Sequence, residues 1–253
     1  MIVQFEKVTK RFGTRTILDG LDLTIQAGET FVLLGRSGIG KSVCLRHIVG
    51  LLRADAGRVL VFDKDVTKLK EREMNAHRRR LGYLFQDGAL INWLTIEDNV
   101  ALPLRERGKQ GRDEALARTR ECLALVELEA HAHKFPKEIS GGMRKRAGLA
   151  RALVARPEVV LYDEPTSGLD PISSSVINEL INNLKRKFQI TQLVVTHDMA
   201  SVFAIADRVG LLHEGRLHAI GTVDEIRNSP SPAVQQFLRG DIVGPLTDKD
   251  GKA

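Results

Sequence analysis

Aromatic side chains are scarce in this chain. They make up 5% of its 253 residues, with a single tryptophan. It therefore offers few of the stacking platforms on which single-stranded nucleic acid binds. Only two cysteines occur, Cys44 and Cys122. Both fall in segments with helical periodicity and are read as reduced core residues, which excludes a disulfide scaffold or a cysteine metal site. No run approaches the roughly eighteen apolar residues of a membrane-spanning helix. Met1-Ile-Val-Gln-Phe-Glu6 lacks the layout of a secretory signal, so a cytoplasmic protein is expected. What is plentiful is material for a core: 43% hydrophobic and 28% charged residues, in a chain long enough for one large domain or two small ones. The formal net charge of +6 suits anionic lipid headgroups, nucleotides or nucleic acid, and selects none of them.

The stretch Gly35-Arg-Ser-Gly-Ile-Gly-Lys-Ser42 organises the rest. It reads G-x-x-x-x-G-K-S, the phosphate-binding loop pattern. Thr30-Phe-Val-Leu-Leu34 before it has strand character, and Val43 to Leu52 after it has helical spacing. Glycines permit positive φ, so successive N–H groups can turn inward on a phosphate chain, and the helix adds the positive end of its dipole. Lys41 can neutralise β- and γ-phosphate charge, and the Ser42 hydroxyl can ligate Mg²⁺.

Taken in order, Ile2 to Val8 reads as a strand, Lys10-Arg-Phe-Gly13 as a turn with Phe12 able to stack on a base, and Ile17 to Ile25 as a strand pair. Leu81 to Phe85 is a strand ending at Gln86, an amide that can ligate Mg²⁺ or hold a water. Arg78-Arg79-Arg80 reads as a solvated basic face. Helical patterns dominate from 87 to about 135, namely Thr95 to Leu102 ended by Pro103, Arg112 to Val126, and a short one near His131. His131 and His133 read as surface residues. Ser140 is a good N-cap for a helix from Arg144 to Ala155, and Gly141-Gly142 leave its N-terminus open as a second anion site. Arg144-Lys145-Arg146 lie in its first turn, where cations oppose the helix dipole, a placement tolerable if an anion docks there. Pro157 to Tyr162 is a buried strand that delivers Asp163 and Glu164 at its C-terminal end, where ligands sit in open α/β sheets. Asp163 can hold Mg²⁺, and Glu164 can polarise an attacking water. Gln192 to Thr196 is another buried strand, ending at His197, from which a hydrogen bond to a γ-phosphate is possible. The polar stretch from Gly240 to Ala253 is expected to be a tail ordered by a partner.

These motifs, over roughly residues 2 to 228 and in the family's order, resemble an ABC-transporter ATPase subunit. The resemblance implies an α/β fold of the P-loop NTPase, ABC-ATPase type: a RecA-like parallel-sheet core, an N-terminal antiparallel β subdomain and an α-helical subdomain. It implies an ATPase domain over 1–239, with the helical subdomain at about 87–155, and a C-terminal tail over 240–253. The expected nucleotide-binding residues are Phe12, Gly35, Arg36, Ser37, Gly38, Ile39, Gly40, Lys41, Ser42, Val43 and Gln86. Ser42, Gln86 and Asp163 would form the Mg²⁺ shell, Glu164 the general base and His197 the γ-phosphate contact. In a head-to-tail homodimer, Ser140, Gly141, Gly142 and Met143 of one subunit would close over ATP on the other, and Asp170 would bridge the two. Ile139 and Met143 depart from the usual L-S-G-G-Q, and Val43 from the usual threonine. Neither change removes a backbone donor.

A finer likeness lies in Ile139 to Leu153, in Phe85-Gln-Asp-Gly-Ala-Leu90 and in Leu94 to Leu104. These stretches are similar to the ATPases of Mla-type lipid transporters that work with mammalian-cell-entry (MCE) proteins. The resemblance implies phospholipid cargo, an integral permease dimer, an MCE protein, a small STAS-domain protein, no nucleic acid, and a peripheral site on the cytoplasmic face of the inner membrane. The alternative within the superfamily is an amino-acid, ion or polyamine importer. A translation factor built on this ATPase would carry two cassettes or a coiled-coil insertion, and a kinase or GTPase would leave Ser140-Gly-Gly142 and His197 unexplained.

Overall fold

The computed structural model describes residues 1–107 and 111–247. Residues 108–110, within the expected helical insertion, and 248–253 of the expected tail lie outside the described residues. Along the chain the strands are β1 (Val3–Phe12), β2 (Arg15–Ile25), β3 (Thr30–Leu34), β4 (Ala56–Val61), β5 (Lys64–Asp65), β6 (Leu81–Leu84), β7 (Val159–Asp163), β8 (Thr191–Thr196), β9 (Arg208–His213) and β10 (Arg216–Thr222). The helices are α1 (Lys41–Ile48), α2 (Glu71–Arg78), α3 (Ile96–Arg107), α4 (Arg112–Leu125), α5 (Gly141–Leu153), α6 (Pro171–Phe188), α7 (Met199–Ile205), α8 (Val223–Arg227) and α9 (Pro232–Arg239). They divide into two units, Met1–Lys68 with the chain from Val195 onward, and Leu69–Val194.

In the first unit β1 lies between β2 and β4, antiparallel to both, with Val3 opposite Ile25 on one side and Val61 on the other. Val3 and Phe5 are buried in strict alternation, but the next buried residue is Val8. A bulge makes that change of phase: Lys7 takes φ 47 and the register shifts between Phe5 and Val8. Three more strands stand in the order β10-β9-β3. β3 runs parallel to β9, with Phe31 opposite Arg208 and Leu34 opposite Leu211, and β10 returns antiparallel. Every residue of β3 is buried, as expected for an apolar run covered on both faces. Each large apolar side chain so buried contributes roughly 2 kcal/mol.

In the second unit the strand order is β8-β7-β6. β6 and β7 are parallel, with Tyr83 opposite Leu161 and Leu84 opposite Tyr162. β7 and β8 are buried throughout. α3, α4 and α5 pack on one another, burying Val100 and Leu104, Cys122 and Leu123, and Ala147, Leu149 and Leu153. Burial pushes the Cys44 thiol up to about 12 and the Cys122 thiol to about 11, so both stay protonated.

Several elements differ from the sequence reading. The helix read from Arg144 to Ala155 is α5, which already starts at Gly141 and ends at Leu153, because Ser140 caps it directly. Pro103 does not end its helix; α3 continues to Arg107. Val100, Ala101 and Leu104 are buried on either side of it, and that packing outweighs the missing N–H. The helix after the phosphate loop stops at Ile48, not Leu52. Gly50 takes φ 67, its N–H donates to His47 O at 3.0 Å, and Leu51 N–H donates to Arg46 O at 2.8 Å, the bonds of a Schellman stop. Residues 15–25 form one strand, not a pair. The expected basic face at 78–80 begins on the last residue of a helix, α2, that the sequence did not announce, and Arg80 pairs with Glu158.

Candidate functional site

The phosphate loop lies in the first unit, between β3 and α1. Gly38 and Gly40 take φ 74 and 115, values that side-chain-bearing residues avoid. A Cβ on Gly40 would also stand 2.7 Å from Ile17 Cγ2, and one on Gly35 would stand 2.7 Å from the Leu212 carbonyl oxygen. The loop closes on itself through Ile39 N–H to Arg36 O at 3.3 Å. Lys41 is 5% exposed. Its Nζ donates to the carbonyl oxygens of Gly35 at 2.7 Å and Arg36 at 3.1 Å. The ammonium is therefore held across the loop. Ser42 and Val43 follow in the first turn of α1.

Phe12 ends β1, opposite Arg15, instead of sitting in the turn. Its ring is 48% exposed, with Lys10 Nζ 5.5 Å from the ring centroid. His197 is exposed directly after β8. Asp198 next to it caps α7 by accepting from Ala200 N–H and Ser201 Oγ. A cavity of about 370 Å³ borders the phosphate loop, lined by Arg36 to Ile39, Arg15, His213 and the tail residues Pro245 and Leu246. The described part of the tail is ordered by its own unit, contrary to the expectation of a partner. Leu246 is buried and its N–H donates to Gln236 Oε1 at 2.8 Å, while Gln236 Nε2 donates to Asp241 O and Thr247 Oγ1. One glutamine on α9 thus clasps the segment.

The second unit holds the acidic strand end. Asp163 closes β7 and is buried, and Tyr83 Oη on β6 donates to its Oδ2 at 3.1 Å. Glu164 follows with φ 49, in the left-handed region that a non-glycine residue holds only when its surroundings impose it. Gln86 is exposed just past β6, after Phe85, whose ring stacks on Tyr83 at 4.2 Å. Asp170 is the N-cap of α6, accepting from the N–H groups of Ile172 and Ser173 at 3.0 Å each and from Ser173 Oγ at 2.6 Å. The Ser173 hydroxyl, with the N–H groups, holds its carboxyl below the usual range.

Ser140 caps α5, its Oγ accepting from Met143 N–H at 3.2 Å, and Gly141 and Gly142 open the helix. The cations at 144–146, which the early start of the helix moves to the end of its first turn and into its second, need no docked anion to explain them. Arg144 donates to Ile139 O, Arg146 to Val126 O, and Lys145 to the carbonyl oxygens of Glu164 and Ser167. Further along α5, Arg151 donates to Gly88 O and Ala89 O, both at 2.7 Å. Tyr83, Lys145 and Arg151 are the site residues that sequence reasoning missed. Only strand register and helix packing bring them to the motifs, and no local pattern signals that. A groove of about 670 Å³ also opens in this unit, lined by Arg78, Arg79, Phe85, Ile91, Leu102 and Arg151 among others.

A glycine cradle with its lysine, and a buried carboxylate at a strand end, are the parts of a P-loop nucleotide-binding protein. Comparison with known proteins narrows the class. The family model described as ABC transporter matches residues 18–167, more than half of the chain. The probable ribonucleotide transport ATP-binding protein mkl of Mycobacterium tuberculosis is 43% identical over 244 residues, covering 96% of this chain and 68% of that protein. The methionine import ATP-binding protein MetN of Rhizobium johnstonii is 42% identical over 237 residues, covering 94% and 65%. Among solved structures, the dimeric ATP-binding cassette MJ0796 bound to ADP and Pi aligns with a TM-score of 0.81 at 33% identity, covering 88% of this chain and 99% of that one. The protein cbiO1 from Clostridium perfringens, part of the ABC transporter complex cbiONQ, aligns with a TM-score of 0.83 at 28% identity, covering 94% and 95%.

The chain belongs to the ABC transporter family and has the α/β fold of its ATPase cassettes. It is an ATP-binding, ATP-hydrolysing subunit that works with Mg²⁺. The first unit holds a glycine loop with a buried ammonium, the chemistry phosphates take, and each unit carries an oxygen donor of the kind a hard cation takes, the Ser42 hydroxyl in one and the Asp163 carboxylate in the other. When bound, Mg²⁺ supplies neutralisation of phosphate charge.

Proposed function

We propose that this chain is the ATPase subunit of a lipid transporter of the MCE-associated, Mla-like type, peripheral on the cytoplasmic face of the inner membrane. Residues 1–239 are its ATPase domain, with the helical subdomain at about 87–155, and residues 240–253 are its tail. Phe12 stacks the base. Gly35 to Val43 cradle the phosphates, with Lys41 leaving the Gly35 and Arg36 carbonyl oxygens for the nucleotide. Ser42, Gln86 and Asp163 hold the metal, the last oriented by Tyr83. Glu164 takes the proton of the attacking water, and His197 donates to the γ-phosphate. Ser140 to Met143 close over the ATP of a second subunit, and Asp170 bridges the homodimer, a pairing supported by the dimeric MJ0796 cassette. The groove lined by Arg78, Arg79 and Phe85 receives the permease. An MCE protein and a STAS-domain protein complete the assembly, and nucleic acid is not a partner.

One observation carries the lipid reading. The 85–90 and 139–153 stretches that resemble MCE-associated ATPases form one packed feature, with Arg151 bonded to Gly88 and Ala89 and Gly148 tight against Gly88. A second reading, an amino-acid importer, is favoured by the likeness to the methionine import protein. Affinity co-purification of the membrane complex, with protein and lipid mass spectrometry, separates them. Recovery of a permease, an MCE protein and phospholipid is expected. A permease with a soluble solute receptor would overturn the lipid reading and leave the ATPase chemistry standing.

A further inference from the structure

Of the three cations Arg144 to Arg146 near the start of α5, Lys145 alone reaches the turn that carries Glu164. Its side chain is buried, and its Nζ donates to the carbonyl oxygen of Glu164 at 3.4 Å and to that of Ser167. The Glu164 carbonyl also accepts from Ser167 N–H at 3.2 Å. These bonds converge on the residue held at φ 49, a backbone state that reverts unless its neighbours impose it. The ammonium faces the carboxylates of Asp87 and Glu164, which oppose the lowering of its pKa by burial. α5 is a firm anchor for this tie. Arg151 binds two carbonyl oxygens of the loop just after Gln86, and Cβ atoms added at Gly148 and Gly88 would meet Gly88 Cα at 3.0 Å and Arg144 O at 2.7 Å.

We propose that Lys145 is a positioning residue for ATP hydrolysis: from the signature helix it holds the Glu164 and Ser167 carbonyl oxygens and so fixes the left-handed turn that aims the Glu164 carboxylate. The proposal rests on the reading of Glu164 as general base. Replacing the ammonium by an apolar chain of similar length takes this donor from two half-buried carbonyl oxygens and leaves the turn only the Ser167 N–H bond to the Glu164 carbonyl. The turn relaxes, and the carboxylate leaves its productive direction. ATP affinity stays, because Lys145 bonds the Glu164–Ser167 turn, whereas the phosphates are held by Gly35 to Val43.

The test uses the full chain. Steady-state ATP hydrolysis gives kcat, fluorescent-nucleotide titration gives ATP affinity, and thermal melting reports folding. Lys145→Met is expected to lower kcat by about tenfold or more, the scale of a small misplacement at a reacting centre, with the Kd for ATP changed by less than about twofold. Lys145→Arg, which keeps the donors, restores most of the rate. Wild-type kcat in Lys145→Met, parallel loss of rate and affinity, or no rescue by arginine would overturn the proposal. If the methionine variant does not fold, the wild type carries the test: its kcat falls on the alkaline side as Lys145 deprotonates, and Lys145→Arg lacks that fall. Equal alkaline limbs would overturn the proposal. Glu164→Gln separates this idea from the one beneath it. Wild-type turnover in Glu164→Gln defeats the base assignment and the Lys145 role with it, whereas an impaired Glu164→Gln beside an unimpaired Lys145→Met defeats the Lys145 role alone. In the Glu164→Gln background Lys145→Met adds little, and a fully additive loss would show that it acts elsewhere.

Discussion

Gly88→Ala is a sharp test of how α5 is seated. Gly88 has φ +73, and a Cβ there would stand 2.7 Å from the Arg144 carbonyl oxygen and 3.2 Å from its carbon, backbone atoms that no rotamer change can move. Holding alanine in the left-handed region costs about 1 kcal/mol. Pushing the backbone of α5 aside adds about 1–3 kcal/mol, the range for overpacked sites. The stiffer unfolded chain returns a few tenths. The sum is roughly 2–4 kcal/mol, a large share of a typical stability of about 5–15 kcal/mol. Gly168→Ala is the control. Gly168 lies in the same unit with nearly the same φ, +72, and nothing within 4 Å of its added Cβ, so only the cost of about 1 kcal/mol remains. Urea unfolding followed by circular dichroism should therefore place the Gly88→Ala midpoint well below that of Gly168→Ala at unchanged slope. In a thermal melt each kcal/mol is worth about 2–4 °C at this chain length, which puts Gly88→Ala about 5–15 °C below wild type and Gly168→Ala within about 4 °C. Equal losses in the two variants would mean that the contact with the Arg144 carbonyl does not constrain the fold.

Glu164→Gln should retain ATP binding, accumulate a closed dimer on gel filtration with ATP, and lose nearly all turnover; near wild-type hydrolysis would sink the base assignment. Lys41→Ala should weaken nucleotide binding itself, read by equilibrium titration, and an unchanged Kd would contradict the phosphate-loop reading. His47 on α1 is 1% exposed, with Nδ1 2.7 Å from Val43 O and Nε2 without a partner. Burial, with the charge of Lys10, lowers its pKa below the ordinary 6.5, against the pull of Val43 O, Asp55 and Arg53 O. The unfolded chain then binds the extra proton first. Stability falls as pH drops below about 6.5, by no more than roughly 1.4 kcal/mol per pH unit from this group, and levels off below the folded value. His47→Leu should flatten the urea midpoint across that window, and an unchanged pH slope would assign it to other groups.

Contiguous motifs were legible in the sequence because a short backbone stretch sets them. The phosphate loop needs only glycines at the turning points and a strand and helix at its ends, and the Ser140 cap and the Asp163-Glu164 strand end are equally local. What the sequence hid depends on packing between distant segments. Pro103 looks like a helix stop until α4 and α5 are seen packed on α3, and Tyr83 looks like an ordinary strand residue until register sets β6 beside β7. The stretch Arg144 to Arg146 of α5 shows the limit most clearly. Read alone, Arg144, Lys145 and Arg146 oppose the helix dipole, and a docking anion is the natural remedy. The fold supplies another, because carbonyl oxygens at Ile139, Val126, Glu164 and Ser167 meet those cations. Carbonyl dipoles from three segments thereby offset the unfavourable field of one helix end. That solution also joins the helix to its neighbours, so the charges that look misplaced in sequence are the ones that tie α5 to the acidic turn.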